Sequence, residues 1–192
     1  MSISESAEPR TETAFAARRI NVIGTSAAGK TMLAASLAGL LRIPHIELDA
    51  LHWEADWTEV SPEVMRERVT AAIAGDAWVV DGNYAVVRDL VWARAEAIVW
   101  LDLPLRTILW RFASRTARRL IHREELWAGN RERLRTQLAS RDSLLWWILT
   151  TYRRRRREYP ERLAARPDLV AVRLRSAREA RAWLASIPRT VP

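Results

Sequence analysis

The sequence predicts an α/β domain, a parallel sheet covered by helices on both faces, and three observations carry that prediction. Five short apolar, β-branched runs recur along the chain, most of them leading into helix-like sequence. A glycine-bounded loop separates the first run from the first helix. Three of the runs end on an aspartate, which brings three acidic side chains to the edge of the sheet where ligands bind in such folds.

Residues 1–17 are rich in Ser, Glu and Ala and read as a disordered lead-in. They lack the basic start and apolar stretch of a secretory signal. Residues 19–24 form the first strand and residues 31–41 the first helix. Strand two, residues 44–48, ends at Asp49, and residues 62–74 are helical. Strand three, residues 77–80, ends at Asp81-Gly82-Asn83-Tyr84, and a helix over 85–94 follows. Strand four, residues 97–101, ends at Asp102. Helices are expected over 104–120, 131–140 and 143–159, then strand five at 169–174 and a last helix at 177–187. Residues 18–192 are enough for one well-buried domain and short for two.

Composition narrows the chemistry. With no cysteine there is no disulfide framework, thiolate metal site or cysteine nucleophile, which suits a reducing cytoplasm. No apolar run approaches the roughly eighteen residues needed to cross a membrane. The net charge of +8 is uneven, about −6 over residues 1–105 and +14 over 106–192. The second half therefore faces a polyanion or a small phosphorylated ligand. Against thirty arginines stands one lysine, Lys30.

That lysine sits in Gly24-Thr25-Ser26-Ala27-Ala28-Gly29-Lys30-Thr31, a G-x-x-x-x-G-K-[ST] pattern in its proper context of strand, loop and helix. Glycines let successive N–H groups turn inward, and the helix N-terminus adds partial positive charge. Lys30 is expected to reach the β- and γ-phosphates of a nucleoside triphosphate, with the Thr31 hydroxyl on Mg²⁺. An ammonium is a compact point charge that threads between phosphate oxygens, where a planar guanidinium is the wrong shape.

At the sheet edge, Asp49 lies in a dense acidic and aromatic stretch with His52, Trp53 and Trp57, a candidate wall for an acceptor molecule. His52 is expected to shape that wall rather than act as a general base. Asp81, Gly82, Asn83 and Tyr84 face the same edge. Asp102 is a candidate metal ligand with Thr31, a helix-cap role being the alternative. Trp78, Trp100, Trp110, Trp146, Trp147 and Trp183 are expected to pack in the core.

The runs Glu47-Leu48-Asp49-Ala50-Leu51-His52-Trp53, with Trp57 after them, and Trp78-Val79-Val80-Asp81-Gly82-Asn83-Tyr84 resemble the adenylate-kinase-like P-loop proteins labelled topology modulation (FlaR-related). So do Gly129-Asn130-Arg131-Glu132 and Ser140-Arg141-Asp142-Ser143-Leu144-Leu145-Trp146. The matches extend from Ile20 to about Leu184. The resemblance implies five parallel strands in the order 2-3-1-4-5, as in nucleotide, shikimate and gluconate kinases. It implies an acceptor region after strand two, with Asp49 at the position that holds the acceptor hydroxyl. It also implies an arginine-bearing lid after strand four, about residues 106–142. The Gly-rich, Pro-Arg-containing segment of adenylate kinase itself is missing, which weighs against AMP as acceptor.

Arg111, Arg115 and Arg118 recur at spacings of four and three, so one helix face can present all three to a transferred phosphoryl group. The run from Arg153 to Arg157 covers every face of a helix and reads as a solvated helix end. Three functions stay open: a kinase using ATP and Mg²⁺ on a small or nucleotide acceptor, a nucleic-acid-associated NTPase, and a nucleotide-binding regulator without turnover. The kinase leads, since no nucleic-acid-binding motif is recognisable.

Overall fold

A computed structural model describes residues 16–122 and 144–188. The elements run β1 (Arg19–Gly24), α1 (Lys30–Leu41), β2 (His45–Glu47), α2 (Leu48–His52), α3 (Pro62–Ala72), β3 (Trp78–Asp81), α4 (Arg88–Arg94), β4 (Ala97–Leu101), α5 (Leu105–His122), α6 (Leu144–Ala164), β5 (Val170–Leu174) and α7 (Ala177–Ser186). The five strands form one sheet in the order β2-β3-β1-β4-β5, every pair parallel. The expected helix at 131–140 and most of the expected lid lie outside the described residues.

The three central strands, β1, β3 and β4, are buried on both faces, and their side chains alternate between two cores. Val22, Val79, Val99 and Leu101 meet Leu33 and Leu37 of α1, Ile108 and Phe112 of α5, and Trp183 of α7. Ile23, Trp78, Val80, Ile98 and Trp100 meet Met65 and Val69 of α3 and Val91 and Trp92 of α4. Each such large side chain contributes about 1.5–3 kcal/mol on burial. Buried Asn21 is satisfied on every side. Its amide nitrogen donates to the Val80 and Gly82 carbonyls, each at 3.1 Å, and its oxygen accepts from Trp92 Nε1 at 3.1 Å. That ties β1 to the end of β3 and to α4.

Several local expectations change. Ala17, the last residue of the expected lead-in, is packed in the core. Strand two stops at Glu47, and the aromatic stretch forms the short helix α2 followed by a 3-10 turn, Ala55–Trp57. The helix expected over 85–94 splits into a 3-10 turn, Ala85–Val87, and α4. Helix α6 continues through Pro160.

Three tryptophans expected inside are on the surface. Trp110 is 70% exposed, Trp146 52% and Trp147 48%, whereas Trp78, Trp100 and Trp183 are buried. The reason is helix phase. Ile108 and Phe112 take the inward face of α5, Ile148 and Tyr152 that of α6, and the three tryptophans fall off those stripes.

Candidate active site

The site is built around β1, the central strand. At its end the chain leaves the sheet at Gly24, turns through Ala27 at φ 62° and Gly29 at φ 94°, and enters α1. Gly29 needs its hydrogen: the left-handed conformation disfavours a side chain, and a Cβ would stand 3.0 Å from Arg111 Nη1. Ser61 caps α3 and Ser176 caps α7, but no side chain caps α1, and its first turn holds no acid. Uncapped helix N-termini of this kind are suited to an outside anion.

Lys30 is half-buried behind this loop. Its Nζ donates to the Thr25 carbonyl at a long 3.4 Å, and no carboxylate among the described residues comes within ion-pair distance. Burial lowers its pKa below the ordinary lysine value. Asp81 and Asp49 oppose that shift, and the positive charges of Arg155 and Arg115 add to it. A desolvated ammonium beside uncapped N–H groups fits the oxygens of a triphosphate.

Arginines close on the loop from two helices. On α5, Arg111 Nη1 donates to the Ala28 carbonyl at 2.6 Å, and Arg115, one turn on, is near enough for its charge to act on Lys30. Arg118, a further turn along, is exposed. On α6, Arg155 is turned into the site. In the amide orientation that its hydrogen-bond network requires, Asn83 Oδ1 accepts from Arg155 Nη2 at 3.1 Å and from the Tyr159 hydroxyl at 2.8 Å, while its Nδ2 donates to the Gly24 carbonyl at 3.0 Å. Arg155 is hidden in the sequence because it is one of five consecutive arginines. The available signal is phase: Ile148, Tyr152, Arg155 and Tyr159 recur at steps of four, three and four, which puts Arg155 on the inward stripe.

Across the loop stand the acids. Asp81, at the end of β3, is buried, and that burial raises its pKa above the usual carboxylate range. Lys30 and a hydrogen bond with Thr31 pull the other way. Asp49, in the first turn of α2, accepts from the Tyr84 hydroxyl at 2.6 Å. Burial and the neighbouring Asp49 raise the Tyr84 pKa, so the phenol stays a donor, and Trp53 hydrogen-bonds to its oxygen. His52 lies against Tyr84 at 4.6 Å and Trp53 at 4.7 Å between ring centroids, and Trp53 meets Trp57 edge-on at 5.4 Å. His52 Nε2 is 3.8 Å from Glu59, so its place is within this aromatic wall. Gly82, at φ 134°, lets β3 pass close to Leu48.

Asp102 has other partners. Both carboxylate oxygens are engaged, Oδ1 by Arg156 Nε at 2.9 Å and Oδ2 by Arg173 Nη2 at 2.6 Å and Nε at 3.0 Å. A carboxylate held by two guanidinium groups is a poor metal ligand. The acid that bonds Thr31 is Asp81. Among the described residues no three His, Asp or Glu cluster to hold a metal unaided. Mg²⁺ commonly binds with few protein ligands and completes its shell with phosphate and water. Thr31 with Asp81 behind it fits that pattern.

No family model and no curated protein matches the chain. Solved structures do. Shikimate kinase from Acinetobacter baumannii in complex with shikimate is 17% identical, over 92% of this chain and 94% of that one, with a TM-score of 0.57. Shikimate kinase from Bacteroides thetaiotaomicron is 16% identical, over 88% and 95%, with a TM-score of 0.53. A gluconokinase from Sinorhizobium meliloti 1021 is 22% identical, over 88% and 91%, with a TM-score of 0.51. At these identities the likeness is one of fold: the chain has the α/β architecture of the P-loop kinases, with its five parallel strands in the order 2-3-1-4-5.

Proposed function

We propose that this chain is an ATP-dependent phosphotransferase, resembling the topology modulation proteins, that moves the γ-phosphoryl group of ATP–Mg²⁺ to a hydroxyl of a small or nucleotide acceptor. One observation carries the reading. Lys30, Arg111, Arg115 and Arg155 gather around the uncapped start of α1, while Asp49 and Asp81 stand opposite them after β2 and β3. Cations on one side and carboxylates on the other suit the transfer of an anion to a hydroxyl.

In this reading the loop N–H groups and Lys30 bind the β- and γ-phosphates. Arg111, Arg115 and Arg155 neutralise the charge that spreads over the equatorial oxygens. The acceptor rests against Trp53, Trp57, His52 and Tyr84, its hydroxyl on the Asp49 oxygen that Tyr84 leaves free. A bond forms from that hydroxyl oxygen to the γ-phosphorus. The bond from that phosphorus to the β–γ bridging oxygen breaks, its electron pair leaving with ADP, and the hydroxyl proton passes to Asp49. Mg²⁺, held by Thr31 with Asp81, would offset charge on the β- and γ-oxygens.

The test is acceptor-dependent ADP release over a panel of nucleoside monophosphates, nucleosides, sugars and polyol acids. At least one acceptor should raise ADP above background, and Lys30→Ala should abolish the signal. If no acceptor does so, the kinase reading fails. Calorimetric ATP binding without hydrolysis would then support a regulator, and hydrolysis stimulated by DNA or RNA a nucleic-acid-associated NTPase.

A further inference from the structure

Arg153 to Arg157 look interchangeable in sequence, but successive side chains on a helix point about 100° apart, and α6 uses three of them differently. Arg154 pairs with Glu158 on the helix surface. Arg155 turns toward Asn83. Arg156 reaches the Asp102 carboxylate, which is 1% exposed. Arg156 Nη1 also donates to the Tyr152 hydroxyl at 2.9 Å, and that hydroxyl donates to the Leu103 carbonyl at 3.3 Å. On the other oxygen of Asp102, Arg173 of β5 donates at 2.6 Å and stacks over Trp100 at 4.4 Å.

Helix α6 is therefore fastened twice. Tyr152 and Arg156 bind it just beyond β4, at Asp102 and Leu103. Arg155 and Tyr159 bind it just beyond β3, at Asn83, which itself holds the Gly24 carbonyl. Strands β3 and β4 flank β1, so the helix spans the phosphate loop between the two fastenings. The two fastenings lie side by side on one inward stripe but reach the ends of different strands, so the helix cannot roll about its axis without breaking one of them. A change of roll would carry Arg155 off Asn83, whose amide holds the Gly24 carbonyl.

We propose that Asp102 is a positioning residue: through its ion pair with Arg156 it sets the roll of α6 and aims Arg155 at the bound phosphates. The proposal rests on reading Arg155 as a phosphate-facing residue of the kinase site, and the charge of Arg155 on Lys30 supports that placement.

A double-mutant cycle tests it, with the affinity of a non-hydrolysable ATP analogue and Mg²⁺ measured by calorimetry. Arg155→Ala should weaken binding about tenfold, or about 1.4 kcal/mol. Arg156→Gln should weaken it by a similar factor, although Arg156 is committed to Asp102 and touches no phosphate. The double variant should bind no worse than Arg155→Ala alone, because the second change acts only through the first. Asp102→Asn probes the same link from the strand side, and Arg156→Gln covers the case in which it does not fold. Arg173→Gln, which leaves the helix pair intact, should lower thermal stability and keep analogue affinity within about twofold of the parent. Additive losses in the double variant, parent-like affinity in Arg156→Gln, or no effect of Arg155→Ala would each overturn the proposal. The cycle reads binding alone, so coupled losses in a chain that phosphorylates no acceptor would uphold this proposal while removing the kinase reading.

Discussion

Gly82→Ala should destabilise the fold and misplace Asp49 while leaving the triphosphate site intact. Gly82 sits at φ 134°, and an added Cβ would stand 2.9 Å from Leu48 Cβ, 3.0 Å from its Cδ1 and 3.1 Å from its Cγ. Holding a residue with a side chain in that region costs about 1–3 kcal/mol. Forcing a methyl into a filled contact costs about 1–3 kcal/mol more. Leu48 is 1% exposed and its own Cβ is the nearest atom, so no flexible tip can swing aside. A total near 3 kcal/mol lowers the melting midpoint of a chain this size by roughly 6–12 °C. Leu48 is bonded to Asp49, so a shift of Leu48 that relieves the clash carries Asp49 from its place beside Tyr84. Urea unfolding should show the loss at an unchanged m-value. Calorimetry should find the affinity for an ATP analogue within about threefold of the parent, less than about 1 kcal/mol, and acceptor turnover should fall. An alanine variant within about 0.5 kcal/mol of the parent, the range of an ordinary surface substitution, would refute the contact and the reasoning built on it.

Three further outcomes are expected. Lys30→Met should abolish triphosphate binding yet raise the melting temperature of the ligand-free protein at neutral pH, because burial lowers the lysine pKa and a charged Lys30 opposes folding. Between the lowered folded pKa and the unfolded value of 10.5 the unfolded chain binds more protons, so parent stability rises with pH there. Melting curves of the two proteins should therefore converge as pH climbs toward 10.5, and a gap that widens instead would contradict the sign. Tyr84→Phe keeps the ring beside His52 but removes the donor to Asp49, and it should cost about 1–3 kcal/mol of stability and lower acceptor turnover. Parent values in both denaturation and turnover would remove Tyr84 from the site. With ATP held saturating, so that a loss of nucleotide affinity does not count, Asp81→Asn should raise the Mg²⁺ concentration needed for half-maximal turnover, and Asp102→Asn should not. A Mg²⁺ titration with the opposite ranking would return the metal role to Asp102.

Much of this protein is legible from neighbours along the chain. Short, nearly continuous apolar runs within residues 19–24, 77–80 and 97–101 mark strands buried on both faces, because successive side chains of a strand point to opposite sides. The phosphate loop is legible because glycine, lysine and threonine at those spacings act through backbone and side chains only a few residues apart. The tertiary structure decides what depends on distant partners. Asp81 and Asp102 both end a strand and look alike in sequence. One bonds Thr31, and the other pairs with Arg173, 71 residues further on, a choice made only when β5 docks against β4. Arg155 and Arg156 are adjacent and identical, yet the docking of α6 sends one to Asn83 and the other to Asp102. Local spacing sets the shape of each element, while the docking of one element on another sets which charges meet.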